Sequence, residues 1–279
     1  MGALRILRPF VEKTVLAPLW RALREEFRWI RRRFVWTPLG FRLAGPESMQ
    51  KGTFEPREVA LIRKQLLETD VFIDVGANVG FYTCLAKLQD KYALAIEPLM
   101  DNLRYLVANM EANGWTGGLE IFPLAVADVV GLADLYGGGT GASLVTGWAG
   151  VAKTYRRLVP CVTLDTIIGS RFTGKRLFIK MDVEGAEYTV LLGARETLHH
   201  VPKPTWLIEI TLTEHRPPGH RNPRYLDTFQ LMWQQGYKAF SITDTQREIT
   251  ENDVFMVMQA SCEENRPEWA SGNYLFCAS

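Results

Sequence analysis

Val71-Phe-Ile-Asp-Val-Gly-Ala-Asn-Val-Gly80 joins an apolar run to an acid and a glycine-flanked turn, and Phe81 to Leu88 continues with helical character. Val71, Phe72, Ile73 and Val75 are β-formers with little alternation, the pattern of a strand covered on both faces. Gly76 and Gly80 lack Cβ atoms where the backbone is expected to approach a ligand, at the N-terminus of the helix that follows. The stretch therefore predicts a parallel strand that carries Asp74 near its end and holds a small cofactor at its top.

Two cofactor classes compete for such a turn. A dinucleotide site of the Gly-x-Gly-x-x-Gly type, read from Gly76, needs glycine at 78 and 81, where this chain has Asn78 and Phe81. An NAD-dependent oxidoreductase thus stays only as an alternative. What remains, Asp74-x-Gly76-x-Asn78-x-Gly80, has the spacing of the nucleoside-binding turn of class I S-adenosylmethionine (SAM) methyltransferases, with Asn at the middle glycine position. Glu97 closes the short apolar run Tyr92 to Ile96, 23 residues beyond Asp74. An acid at that distance, at the tip of the second strand, accepts both ribose hydroxyls, in SAM and NAD folds alike. Asn102 follows on the next helix, as a second nucleoside contact or as an ordinary first-turn residue.

A second strand and turn lie at Leu177-Phe-Ile-Lys-Met-Asp-Val-Glu-Gly-Ala-Glu187, followed by an expected helix from Tyr188 to Leu198. A third strand end, Trp206-Leu-Ile-Glu-Ile-Thr211, brings Glu209 to the same rim. Asp182, Glu184 and Glu209 are expected to converge on one cleft, where like charges raise at least one pKa unless a cation compensates. That makes them candidates for a general base; the alternative for Glu209 is a strand-end acid that pairs with Lys180, Arg216 or Arg221. Among the histidines, His215 in the proline-stiffened loop Glu214-His-Arg-Pro-Pro-Gly-His220 is the candidate for catalysis or acceptor binding, while His199 and His200 close a helix.

Asp74-Val-Gly-Ala-Asn78 and Lys180-Met-Asp-Val-Glu-Gly-Ala-Glu187 together resemble the FkbM family of methyltransferases, and the resemblance runs from about Gly52 to the C-terminus. It implies a Rossmann-like class I α/β fold: a mostly parallel seven-stranded sheet, helices on both faces and an antiparallel last strand. It implies SAM as cofactor, contacted by Asp74, Gly76, Asn78, Gly80, Glu97 and Asn102. It also implies O-methylation, with a small-molecule or glycan hydroxyl as acceptor. In this fold Leu124-Ala-Val-Ala-Asp128 lies near the adenine, so Asp128 is expected to read its edge. Asp182 with Glu209 is similar to the metal-binding acids of some class I O-methyltransferases. Ile210-Thr-Leu follows where a further acid would be needed, so no metal is expected. The Asn-Pro-Pro-Tyr string of amine methyltransferases that act on nucleic acid does not occur.

Composition narrows the rest. A chain of 279 residues, 47% hydrophobic, accommodates one catalytic domain, residues 52–279, after an extension, residues 1–51. A net charge of +1 gives no electrostatic case for a nucleic-acid partner. The extension is different: residues 1–37 carry nine Arg or Lys against Glu12, Glu25 and Glu26. Within it Leu16, Trp20, Leu23, Phe27, Ile30 and Phe34 recur at steps of four and three, the stripe of one amphipathic helix. Such a helix predicts peripheral contact with an anionic membrane, packing on the catalytic domain, or self-association. With no apolar span of membrane length, a cytoplasmic protein is expected, peripheral at most. A non-catalytic scaffold of the same fold would require loss of cofactor residues that this chain keeps.

Three further expectations concern loops and termini. The glycine-rich stretch 137–150 lacks a phosphate-loop ending and predicts a lid, with Ser143 and Trp148 toward an acceptor. Tyr225 to Gln235 reads as a helix, Tyr237 to Ile242 and Asn273 to Ala278 as strands, and Thr243 to Trp269 as a long surface loop with a short apolar insert. Cys84, Cys161, Cys262 and Cys277 show no metal-binding spacing.

Overall fold

The structure is a computed structural model that describes residues 26–27, 29–148, 156–214, 216, 219–243, 246–260, 267–270 and 272–279. After helical residues at 26–27 and 29–30, β1 (Val35–Trp36) and β2 (Arg42–Leu43) pair antiparallel, and α1 (Glu47–Gln50) and α2 (Pro56–Leu67) follow. Then β3 (Val71–Val75), α3 (Phe81–Leu88), β4 (Tyr92–Ile96), α4 (Met100–Ala112) and β5 (Leu119–Phe122) form two right-sized βαβ steps. The chain leaves for a small sheet of β6 (Ala125–Val126), β7 (Gly131–Tyr136) and β8 (Arg156–Val162), and α5 (Leu164–Ile168) leads back to β9 (Leu177–Met181). The remainder is α6 (Glu187–Leu192), α7 (Arg195–Leu198), β10 (Thr205–Glu209), α8 (Tyr225–Gln234), β11 (Tyr237–Ser241), β12 (Glu248–Ile249), α9 (Glu251–Gln259) and β13 (Asn273–Ala278).

The main sheet has the order β12-β11-β13-β10-β9-β3-β4-β5. Strands β5, β4, β3, β9 and β10 are parallel, and β13 runs antiparallel between β10 and β11. The expected seven strands become eight, because Glu248 and Ile249 fold back on β11 as a short antiparallel edge. On one side of β3 lie β4 and β5, on the other β9 and β10, so the order reverses between β3 and β9. A crevice opens at the carboxyl ends of those two strands, where ligands of such sheets bind.

The sheet separates two cores, and the period of two along β3 assigns residues to them. Val71, Ile73 and Val75 face the cluster that includes Ile179, Val190 and Trp206, whereas Phe72 faces the cluster of Phe81, Leu85 and Phe178. Asp74 therefore shares Phe72's side and points under α3. Burial on both faces is why β3 shows no polar alternation; each such side chain contributes about 1.5–3 kcal/mol.

Two expected elements differ, each for a local reason. The helix expected over 188–198 is two pieces that meet at Gly193 and Ala194, and a Cβ on Gly193 would meet the Ala127 carbonyl oxygen at 2.1 Å. The expected surface loop 243–269 contains α9 instead. Thr250 accepts from the Asp253 N–H and Asp253 caps Thr250 in return, and Val254 and Val257 bury in the main core. Thr-x-x-Asp ahead of an apolar pair is a legible helix start that the polar composition of the stretch obscured.

Candidate active site

The turn after β3 is held from below. Asp74 is buried, its Oδ2 accepts from Thr83 Oγ1 at 2.6 Å, and its Oδ1 meets no donor among the described residues. Burial pushes its pKa up, against the pull of Lys180. Gly76 and Gly80 have φ of 84° and 80°. A Cβ on Gly76 would lie 1.8 Å from the Asp182 carbonyl oxygen, and one on Gly80 would lie 2.9 Å from Leu106 Cγ. The missing Cβ atoms make room for the neighbouring strand end and for α4. Gly76 still lines the crevice.

Glu97 stands at the tip of β4 and is gripped by backbone. Its Oε2 accepts from the Asn78 N–H at 2.9 Å and its Oε1 from the Leu99 N–H at 2.8 Å. Asn78 reaches this position with φ of 52°, a left-handed conformation that Asn tolerates better than most residues. Burial nevertheless pushes Glu97 up to about 7, against those two N–H groups. Asn102, in the first turn of α4, donates to the Gly139 carbonyl at 3.1 Å and also lies within hydrogen-bond reach of Glu97.

The opposite lip is built by side chains. Lys180, buried on β9, donates to Asp182 Oδ2 at 2.9 Å, and its Nζ lies 4.8 Å from the centre of the Tyr82 ring. Burial works against its charge, but Asp182, Asp74 and Glu55 together outweigh that and raise its pKa. Glu209, at the end of β10, is hydrogen-bonded to Asp182, and the Asp182 charge together with burial lifts its pKa far above the carboxylate range. Of the two carboxyls, Glu209 is the one whose charged form is disfavoured. Burial raises the Glu55 pKa against the pull of Lys180, and Glu55 accepts from the Tyr82 hydroxyl.

Glu184 adopts φ of 56° and is fixed by the 139–148 segment. Trp148 Nε1 donates to Glu184 Oε2 at 2.6 Å, and Ser143 Oγ donates to the Glu184 carbonyl at 2.5 Å. Gly185, with φ of 93°, leaves the space that the Trp148 ring occupies: a Cβ there would stand 2.3 Å from it. Its N–H donates to Glu187 Oε1 at 2.8 Å, and burial pushes Glu187 up to about 8.

Between the lips runs one pocket. Gly76, Asn78, Glu97 and Asn102 line its polar end, Asp182 and Glu184 the facing wall, and Leu124, Ala125, Val126, Leu135, Ala142 and Leu144 an apolar slot. Of the cofactor candidates, Gly80 packs below the pocket on Leu106, and Asp128 is exposed and outside the lining. From the same stretch, Leu124, Ala125 and Val126 line the pocket instead. Glu209 sits behind Asp182, and His215 lies outside the described residues. Lys180 and Glu187 were legible only as part of a string, because their roles depend on burial. Leu135, Ala142 and Leu144 gave no local signal at all. Among the described residues, no group of three or more His, Cys, Asp or Glu side chains is arranged to hold a metal ion.

The family model of the methyltransferase FkbM domain matches residues 74–239, more than half of the chain. The chain belongs to the FkbM methyltransferase family, and family and fold imply SAM as the methyl donor. Similar solved structures include a putative O-methyltransferase from Klebsiella pneumoniae, 10% identical, with a TM-score of 0.46, covering 99% of this chain and 94% of that one. Another is precorrin-6y C5,15-methyltransferase from Geobacter metallireducens GS-15, 12% identical, TM-score 0.42, covering 86% of this chain and 93% of that one. The bifunctional kinase-methyltransferase WbdD is 10% identical, TM-score 0.43, covering 91% of this chain and 46% of that one. At these scores the likenesses carry no argument beyond the family match. No curated protein matches the chain.

Proposed function

We propose that this protein transfers a methyl group from SAM to a hydroxyl oxygen of a small molecule or glycan. The pocket's residues fit the cofactor. Glu97 is a buried carboxylate fixed by two backbone N–H groups at the strand tip, where a ribose diol needs acceptors, and the slot of Leu124, Val126, Leu135 and Leu144 suits a flat base. Asn102 completes the nucleoside end. When bound, SAM supplies an electrophilic methyl carbon on a sulfonium.

The observation that carries the hydroxyl reading is the Asp182–Glu209 pair beside Lys180. An alcohol has to lose a proton as its oxygen becomes an ether, and the pair has room for one. Asp182 lines the pocket, Glu209 is hydrogen-bonded to it with its own pKa raised by the Asp182 charge, and Lys180 offsets the negative charge. Asp182 takes the hydroxyl proton, with Glu209 and Lys180 holding its carboxyl in place. Glu184, fixed by Trp148 and Ser143, forms the wall against which the acceptor is aligned.

Incubation with isotopically labelled SAM and panels of hydroxyl-bearing glycans and small molecules, read by mass spectrometry, tests the reading. Label on an acceptor oxygen is expected, and Asp182→Asn should abolish transfer while calorimetry still detects SAM. Label confined to nitrogen or carbon acceptors, or heat from NAD but none from SAM, would overturn it.

A further inference from the structure

Residues 139–148 touch both lips of the pocket. On the Glu97 side, the Gly139 carbonyl accepts from Asn102 Nδ2 at 3.1 Å, and Ala142 and Leu144 pack on the cluster of Leu99, Ala125 and Leu135. On the Asp182 side, Ser143 Oγ donates to the Glu184 carbonyl and Trp148 Nε1 to the Glu184 carboxylate. The Trp148 ring lies against Gly185, and the Arg216 guanidinium, from the loop beyond Glu209, lies over that ring at 4.7 Å. Gly139, Ala142 and Leu144 line the pocket itself. The segment therefore spans the pocket from one lip to the other.

What this span leaves free is small. About 50 Å³ lies open between the lips, room for a few water molecules and not for a nucleoside joined to an amino acid. A ligand of that size enters only if part of the wall moves. Glu97 and Asp182 stand at the ends of strands β4 and β9, inside the buried sheet. Segment 139–148 carries only a 3₁₀ turn at Gly139–Gly141. Gly139 and Gly147, with φ of 65° and 81°, sit where an added Cβ would meet nothing within 4 Å, so they serve backbone geometry and not packing. The hold of the segment on the Asp182 lip rests on side-chain bonds to Glu184, and the charge-assisted one comes from Trp148, at 2.6 Å.

We propose that residues 139–148 are a lid, that the Trp148–Glu184 hydrogen bond is its latch, and that release of the latch limits the rate at which SAM enters and leaves. The inference rests on the reading of this pocket as the SAM site. SAM binds the open form, and shutting follows. The latch acts in the ligand-free and the loaded protein alike, so weakening it changes both rates and leaves the affinity where it was. It also fixes Glu184, so the wall that aligns the acceptor is complete only with the lid shut.

Surface plasmon resonance of SAM over the immobilised full chain reads both rates, and hydrogen–deuterium exchange of the ligand-free protein reads the latch without any cofactor. Trp148→Phe keeps a ring against Gly185 and removes the donor. It should raise association and dissociation alike, about tenfold each, and speed exchange of the 142–148 amides by a similar factor. Exchange across β3 should not change, which separates release of the lid from loss of the fold. Ser143→Ala, which removes the second bond to Glu184, should act in the same direction. SAM rates that both variants leave unchanged overturn the gate, as does unchanged exchange over 142–148. Dissociation that speeds alone, with weakened affinity, would make Trp148 a contact of the bound state and overturn it too. Absence of SAM binding by the unaltered protein would overturn the reading of the pocket as well, so the two failures are told apart.

Discussion

Glu97 and Asp182 occupy facing lips of one pocket, yet they are held by opposite means. Glu97 is fixed by backbone N–H groups of Asn78 and Leu99, from the two turns that flank its own strand end. Asp182 is fixed by side chains, Lys180 from its own strand and Glu209 from the next, with Asp74 and Glu55 in the same field. Backbone donors tie a carboxylate to the fold without adding charge. A carboxylate held by ionisable side chains belongs to a network in which every member depends on the others. The lip around Glu97 is therefore expected to respond to mutation locally, and the lip around Asp182 collectively.

The largest effect should come from removing the one buried cation of that network. Lys180→Met strips the compensating charge from Asp182, Asp74 and Glu55, and should cost about 3–5 kcal/mol of folding free energy in urea titrations. A loss under about 1 kcal/mol would mean that the carboxyls simply take up protons, and the collective picture would fail.

Next comes a pH dependence. Burial raises the Glu187 carboxyl from 4.5 to about 8, so the folded protein keeps a proton that the unfolded chain releases. Its contribution is complete below about pH 4.5 and is lost as pH rises to about 8. Glu97, raised to about 7, acts in the same direction over a narrower window. Glu187→Gln should flatten the decline, by on the order of 3 kcal/mol across that range. Denaturation curves for the two proteins at pH 5 and pH 8 make the comparison; parallel pH profiles would show that Glu187 does not supply the slope.

On the lip around Glu97, proposed to hold the cofactor, Glu97→Ala should weaken SAM binding by about 2 kcal/mol, roughly thirtyfold. Stability should change little by comparison with Lys180→Met, which is the contrast the two lips predict. Calorimetry for affinity and urea titration for stability read the two quantities separately. Smallest is Trp148→Phe, which keeps the ring against Gly185 but removes the donor to Glu184. A loss of about 1.5 kcal/mol, roughly tenfold in kcat/KM at unchanged SAM affinity, is expected once an acceptor is in hand. Equal losses in both quantities would place Glu184 on the cofactor side.

The same contrast explains what could be read in advance. Strand β3, the Asp74 to Gly80 turn, Glu97 at the next strand tip and the Asp182-Val-Glu-Gly turn were legible because each is a short-range pattern of backbone preference and spacing. The helix α9 was missed although its Thr250 and Asp253 box is equally local, since polar composition outweighed a two-residue signal. Gly76 and Gly193 were visible as glycines, but the atoms that crowd them, from Asp182 and Ala127, come from elsewhere in the chain.

What the sequence alone determined, then, is the family, the strand ends and the acids that stand on them, because those follow from residues within one turn of each other. The tertiary structure alone decided that Glu209 meets Asp182 and has its pKa raised by it, that Trp148 and Ser143 clamp Glu184, and that the N-terminal segment and the small sheet both reach α4. Those outcomes rest on which strands become neighbours. Pairing β9 with both β3 and β10 places Lys180 and its carboxylates in one low-dielectric site, where their charges act on each other far more strongly than in water.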